Sequence, residues 1–312
     1  MRTYFLTGAE DFRCLASACP DSCCVGWDVV VDDETAERYR AMPGAFGRKL
    51  RETMCTDVDG DTIFRLRDGR CPFLQADDLC RVWRQCGEAM LPVTCRRFPR
   101  IVQEYDDFTE VCLSLSCPEA VRRLLTADEI AAPFPKTADD ELRGLSVLRG
   151  EWMTMLQNED VPFGTAVCHV LRDASNAQGV PFGEREPSDI KAFFERLTEL
   201  DAMTDMFRAC IQKPQPVPRL TRQTAENLCA YYLYRYVQQA VSDGDVLSKV
   251  QMMLSALTFA AFAPLTTAEN VRLFSKEVEH SYDNMEKLNE WFWTDDAFSP
   301  ETFAAVWNSV TL

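Results

Sequence analysis

Phe12-Arg-Cys-Leu-Ala-Ser-Ala-Cys-Pro-Asp-Ser-Cys-Cys-Val-Gly-Trp27 places four thiols, Cys14, Cys19, Cys23 and Cys24, on one short stretch. How they are read decides the fold: as a disulfide framework, as a metal module, or as inert core residues. Working outward, three more short motifs follow. They are Cys71-Pro-Phe-Leu with Cys80-Arg-Val-Trp83, then Cys95-Arg-Arg-Phe-Pro99, then Ser116-Cys117-Pro118-Glu119. The whole chain of 312 residues has 14 cysteines and only 2 histidines, and 11 of the 14 lie before residue 126. Whatever these cysteines bind is therefore held mainly by sulfur.

The compartment narrows the choice. Met1-Arg-Thr-Tyr-Phe-Leu-Thr-Gly-Ala-Glu10 has no apolar core of a secretory signal. The longest apolar run, Met252 to Leu265, is too short to span a bilayer and contains Pro264. A cytoplasmic protein with no membrane association is expected, and in a reducing compartment many thiols point to metal or redox chemistry rather than disulfides. The formal charge of −16 disfavours tight binding to nucleic acid, which draws on clustered Lys and Arg. Residues 1–125 carry a net −4 and the remainder −12.

The first half reads as short, irregular elements. Trp27-Asp-Val-Val-Val-Asp32 is strand-like, and Asp33 to Tyr39 reads as a helix behind an Asp cap. Ile63 to Leu74 alternates around Asp68-Gly69, a hairpin signal, and Asp77-Asp78 marks a second turn. Val111 to Leu115 is a further strand, and Pro118 suits a first helical position. Pro43-Gly44-Ala-Phe-Gly47 reads as a helix-ending turn. Residues 126–139, with Pro133 and Pro135, form a connecting segment. Beyond them, apolar residues at three- and four-residue spacing predict helices over Glu141–Asn158, Ser188–Gln212, Thr221–Ser242, Asp245–Ala263 and Thr267–Ser281. A last helix behind Ser299-Pro300-Glu301 runs to about Ser309. The expected architecture is α+β and mostly α: a cysteine-rich metal module, 1–125, with short strands, packed on a helical domain, 140–312.

Thiols on turns and strand ends can wrap a small ion or cluster, and binding energy then becomes folding energy. Structural zinc prefers two close Cys pairs, and the chain has no Cys-x2-Cys. Iron–sulfur clusters accept wider spacing, and Arg70, Arg81, Arg84, Arg96 and Arg97 could balance their negative charge. Spacing thus favours iron–sulfur, with zinc as the alternative metal. Cys55, Cys86, Cys112, Cys168, Cys210 and Cys229 stand outside the motifs and read as small apolar side chains.

The quoted segment, together with Gly69-Arg-Cys-Pro-Phe-Leu74 and Leu79-Cys80, Leu91-Pro-Val-Thr-Cys-Arg-Arg-Phe-Pro-Arg100 and Leu113-Ser-Leu-Ser-Cys-Pro-Glu-Ala120, resembles the flagellin lysine N-methylase family. The stretches cover nearly all of residues 12–125 in the family's order. The resemblance implies that Cys14, Cys19, Cys23, Cys24, Cys71, Cys80, Cys95 and Cys117 are the family's metal-motif cysteines. It also implies an iron–sulfur cluster (a 4Fe–4S cluster) and methyl transfer from S-adenosylmethionine to lysines of flagellin or a flagellin-like protein. Cys19-x3-Cys23 is followed by Gly26 where a radical-type cluster would need its third cysteine, so radical cleavage of the donor is disfavoured. No Gly-rich loop follows a strand, so no dinucleotide-type donor site is legible.

Catalytic and donor-binding residues are therefore not assigned. Tyr231, Tyr232, Tyr234 and Tyr236 could line a lysine slot, but core packing explains them better, and His169 and His280 read as ordinary hydrogen-bonded histidines. The alternative function, from another class, is a noncatalytic metal-binding or redox-sensing module that binds a protein partner.

Overall fold

The computed structural model describes residues 1–58, 60–183, 185 and 190–312. The fold is α+β and mostly α, as its patterning predicts. The chain divides into two compact units, one of Arg13–Ile101 with Cys117–Glu119, the other of Met1–Phe12, Val102–Ser116 and Ala120–Leu312.

In the unit built on Arg13–Ile101, β2 (Val29–Val30), β3 (Met54–Thr56) and β4 (Thr62–Phe64) form a small antiparallel sheet in the order β2-β4-β3; β1 belongs to the other unit. Phe64 is opposite Val29 on one side and Met54 on the other. Helix α1 (Asp33–Ala41) starts where Asp32 accepts the Thr35 N–H, as the Asp cap predicts. Helix α2 (Gly44–Thr53) corrects the reading of Pro43–Gly47 as a turn only: the chain turns at Met42-Pro43 and Gly44 opens a new helix. Gly47 is required there, because a Cβ would fall 2.0 Å from the Met42 carbonyl oxygen. Helices α3 (Arg81–Cys86) and α4 (Val93–Arg97) are short. The core is small: Val29, Val31, Ala36, Tyr39, Leu50, Phe64, Cys71, Phe73 and Val82. Tyr39 stacks on Phe64, whose ring meets Phe73 edge-on at 4.9 Å.

A second sheet, in the order β1-β6-β5, is formed by β1 (Arg2–Phe5), β5 (Arg100–Glu104) and β6 (Phe108–Leu113). β1 and β6 run parallel, Arg2 opposite Phe108 and Phe5 opposite Val111. Helix α5 (Pro118–Thr126) starts at the predicted proline. Then come α6 (Asp140–Leu156), α7 (Phe163–Ala177), α8 (Lys191–Leu197), α9 (Asp205–Ile211), α10 (Arg222–Tyr236), α11 (Ala240–Asp243), α12 (Val246–Phe262), α13 (Thr267–Phe274), α14 (Tyr282–Thr294) and α15 (Pro300–Asn308). Asp139, Thr204, Thr221, Asp245, Thr266, Ser281 and Ser299 cap seven of these with side-chain acceptors. Every residue of α12 but Lys249 is buried, so this helix is the axis of the core.

Three predicted helices differ in detail. The span Ser188–Gln212 contains two helices, α8 and α9, because Thr204 caps a new start at Asp205; residues 188 and 189 lie outside the described residues. The span Thr221–Ser242 tightens to a 3-10 turn at Val237–Gln239. The span Thr267–Ser281 leaves the α conformation at Ser275–Glu279, a π-helical turn. Helices α7 and α14 arise outside the predicted spans.

Candidate functional site

Two tight turns bring the second and third cysteine motifs to the first. At Asp68-Gly69 both residues adopt positive φ, 52° and 70°, and Arg67 and Arg70 exchange N–H···O bonds of 3.0 Å, the mirror-image turn that an Asp-Gly pair favours. The returning strand lays Arg70 against Val25. The Gly26 N–H donates to the Gly69 carbonyl at 2.9 Å, and the Cys71 N–H donates to the Cys24 carbonyl at 2.8 Å. The backbone itself therefore seats Cys71 beside Cys24. The second turn closes through Gln75 N–H to Leu79 O at 3.0 Å and pairs Leu74 with Cys80. Cys80 then stands at the head of α3. Cys95 is held on α4, whose first N–H, from Val93, is accepted by Asp32 Oδ2 at 2.8 Å.

The thiols feel one another. Cys23, Cys71, Cys80 and Cys95 all lie within electrostatic reach of Cys24, and Cys14 within reach of Cys23. The hydrogen bond with Cys23 draws the Cys24 thiol down to about 7 against the opposing effect of burial, helped by Ser22 and the Arg70 cation. The same hydrogen bond raises Cys23, reinforced by burial and the neighbouring thiols. Burial pushes Cys71 up to about 12, and burial followed by Cys24, Cys80 and Cys71 raises Cys95. Apart from the Cys23–Cys24 hydrogen bond, which favours the Cys24 thiolate, the neighbouring thiols oppose one another's ionisation, a conflict that a bound cation relieves by deprotonating its ligands.

Cys24, Cys80 and Cys95 pack against the small core to which Cys71 belongs. Cys14 is exposed, its sulfur accepting the Ala16 N–H at 3.3 Å, and Cys19 is half-buried at the end of the 3-10 turn Ala16–Ala18. Cys117 is buried and grouped with Arg13–Ile101. All 14 cysteines are described, and no two form a disulfide. Among the described residues, no group of three or more Cys, His, Asp or Glu side chains has the arrangement that holds a metal ion. Of the flanking arginines, Arg70 faces Cys24, Arg84 is paired with Asp77 at 2.6 Å, and Arg81 lies over the Phe46 ring.

A second polar centre, which the sequence reading did not single out, lies in the helical unit. The π-helical turn delivers Glu279 into a ring of donors: Arg235 Nε at 2.9 Å, the Tyr236 hydroxyl at 2.7 Å and the Tyr232 hydroxyl at 3.2 Å. Burial alone would raise the Glu279 carboxyl, but Arg235, Tyr236 and Ser275 hold it below its ordinary value. Next to it, His280 Nε2 sits 2.7 Å from Ser114 Oγ and 3.1 Å from Ser116 Oγ. The Tyr231 and Tyr234 hydroxyls donate to the carbonyls of Leu113 and Tyr4. All four tyrosines are buried, as core packing predicts. A π-turn has no simple residue signature, so Tyr232, Tyr236 and His280 were legible singly but their meeting with Arg235 and Glu279 was not.

Fold and site together define a mostly helical α+β protein with a clustered-thiol site. Two proteins named Lysine-N-methylase, from Salmonella typhimurium and Salmonella choleraesuis, are each 33% identical to it over 140 residues, covering 40% of this chain and 33% of theirs. Flagellar biosynthetic protein FliU of Salmonella muenchen is 34% identical over 127 residues, 39% of this chain and 75% of its own length. The chain belongs to the flagellin lysine N-methylase family. It spans about a third of the length of the two lysine N-methylases. No family profile and no solved structure matches it.

Proposed function

We propose that the protein is an iron–sulfur-containing protein lysine N-methyltransferase that transfers methyl groups from S-adenosylmethionine to lysines of flagellin or a flagellin-like protein. The observation that carries the reading is the backbone pairing that seats Cys71 beside Cys24, with Cys24, Cys80 and Cys95 packed against the small core to which Cys71 belongs, in a chain of this family. The donor set fits in kind: it is all sulfur and it includes one thiol poised near neutrality, with the Arg70 cation nearby and shared with Asp78 at 3.3 Å. Cys24, Cys71, Cys80 and Cys95 would hold the cluster, with Cys14, Cys19, Cys23 and Cys117 as the remaining motif cysteines. When bound, the group would tie these loops together and fix their fold.

The transfer needs a neutral lysine amine in line with the methyl sulfonium. The amine's lone pair forms the new carbon–nitrogen bond, the donor's carbon–sulfur bond breaks with its electrons kept by sulfur, and the product ammonium releases a proton. The buried tyrosines are committed to internal hydrogen bonds, so they do not supply the lysine slot.

Co-expression with flagellin from the same organism, read by intact and peptide mass spectrometry, tests the activity. Mass increments in steps of one methyl on flagellin lysines are expected. Unmodified flagellin beside folded, metal-loaded protein would leave the noncatalytic metal-binding module in its place. Iron, sulfide and zinc measured on anaerobically purified protein test the metal separately, and stoichiometric zinc without sulfide rejects the cluster.

A further inference from the structure

We propose that a cleft between α7 and α15 binds a small zwitterion that carries a planar body, the chemistry of an aromatic amino acid or an amino-acid derivative. The cleft has a volume of about 340 Å³, within the range of small-molecule sites. Its frame is rigid. A Cβ at Gly164 would fall 2.3 Å from the Trp307 carbonyl oxygen, so only glycine lets the two helices approach this closely. Phe163 meets the Trp307 ring edge-on, and the Trp307 Nε1–H donates to Thr258 at 3.1 Å.

Three groups supply the recognition. Arg172 lies with its guanidinium 5.6 Å from the Phe182 ring centre and pairs with no carboxylate among the described residues. In a chain of net charge −16, an exposed arginine at a cleft with no carboxylate partner among the described residues is open to a ligand carboxylate, which a guanidinium can grip with two donors. Glu301, across the cleft on α15, accepts the Gly183 N–H at 3.3 Å as its one hydrogen bond among the described residues and lies within electrostatic reach of Arg185, which still leaves acceptor capacity for an ammonium group. The ring of Phe182 offers a face for a planar group. Arg185 also lines the cleft but is held by Asp296 and Thr302, so it adds no open charge. Cys168 lines the same space and gives a built-in reporter.

The cleft is built by residues of the helical unit, and its test does not depend on methyl transfer. Calorimetry on the full chain would use L-phenylalanine, 3-phenylpropionate, phenethylamine and S-adenosylhomocysteine as probes. Saturable binding is expected for the zwitterionic probes, weaker by roughly tenfold for those lacking either charge. Arg172→Gln and Glu301→Gln should each weaken the zwitterions to a similar degree while circular dichroism stays unchanged. Peptide mass spectrometry after alkylation should show Cys168 protected by a bound probe. If only S-adenosylhomocysteine binds and protects Cys168, the ligand is the amino-acid derivative; if phenylalanine alone does so, it is the free amino acid. Absence of saturation by every probe, or binding indifferent to both substitutions, overturns the proposal.

Discussion

The two units solve the same problem with unequal means. In the helical unit, α12 is buried along all but one of its residues, with aromatic rings from Phe194, Phe207 and Phe274 packed on Phe259. Apolar area removed from water is enough to hold such a structure, at about 25 cal/mol per Å². The unit of Arg13–Ile101 has two- and three-residue strands, helices of five to ten residues, and a core of nine buried side chains, one of them a cysteine. Elements this short form no stable structure by themselves, and segments with so little core lean on disulfides or metals. The difference teaches that the thiols stand where the helical unit has leucines and phenylalanines.

The largest test of that contrast is to take away whatever the thiols hold. Anaerobic chelation, or Cys24→Ser, should abolish amide protection in Val29–Val31 and Ile63–Phe64 while α12 keeps its own, since metal binding in small metal-folded domains is worth on the order of 10 kcal/mol. Hydrogen-exchange mass spectrometry resolves the two units within one sample. Retained protection in both would break the comparison.

The converse test strikes the helical unit. Arg149 and Glu110 form a two-pronged ion pair at 2.7 and 2.9 Å, with both side chains almost wholly buried, and Arg149 also faces the Tyr234 ring. Removing one partner strands the other charge, so Arg149→Ala should lower stability in urea by about 3–5 kcal/mol. The pair Arg149→Met with Glu110→Leu should recover most of that loss. If the single change costs nothing, the helical unit is not set by its buried interior.

Acid gives a third, smaller handle on the same unit. The folded-state pKa of Glu279 lies below its ordinary 4.5, so it contributes stability above that value which is lost as pH falls through the folded pKa. Glu279→Gln should cost about 2 kcal/mol at neutral pH, the scale of hydrogen bonds to a charged group. The gap between variant and parent should close on acidification. A gap independent of pH would mean that Glu279 acts by packing alone.

What could be read in advance follows the same division. Turn chemistry and caps are local, so Asp68-Gly69, Asp32 and Ser299 declared themselves, and periodicity exposed α6, α10 and α12. Helix α2 was hidden because Gly44 and Gly47 look like a turn, and the reason for Gly47, a 2.0 Å approach to Met42, exists only after folding. The cysteine motifs were legible as motifs, but their assembly around Cys24 depends on backbone pairings between residues 24 and 71 and between 74 and 80, which spacing does not encode. The Glu279 centre joins residues from the segment just after β6, from α10 and from a π-turn, and long-range contacts of that kind leave no pattern in sequence.

The smallest test returns to the cysteine unit and asks whether its protein scaffold has any strength of its own. Asp32 Oδ1 accepts the Thr35 N–H at 3.0 Å while Oδ2 accepts the Val93 N–H at 2.8 Å, so one carboxylate caps α1 and anchors the helix that carries Cys95. Although burial opposes it, these donors hold the Asp32 carboxyl below its ordinary 3.8, so the stability it lends is present above that value and lost as pH falls through the folded pKa. Asp32→Ala should cost roughly 1–2 kcal/mol, the usual price of a lost N-cap. Asp32→Asn, which keeps an acceptor for only one of the two N–H groups in its neutral amide, should fall between. The effect should be confined to exchange rates in Arg13–Ile101 and, on the proposed metal reading, should appear as faster metal loss under chelation, because a loosened α4 would release Cys95 first. Loss of the cap without faster metal release would mean that the thiols hold their site with no help from the helices around them.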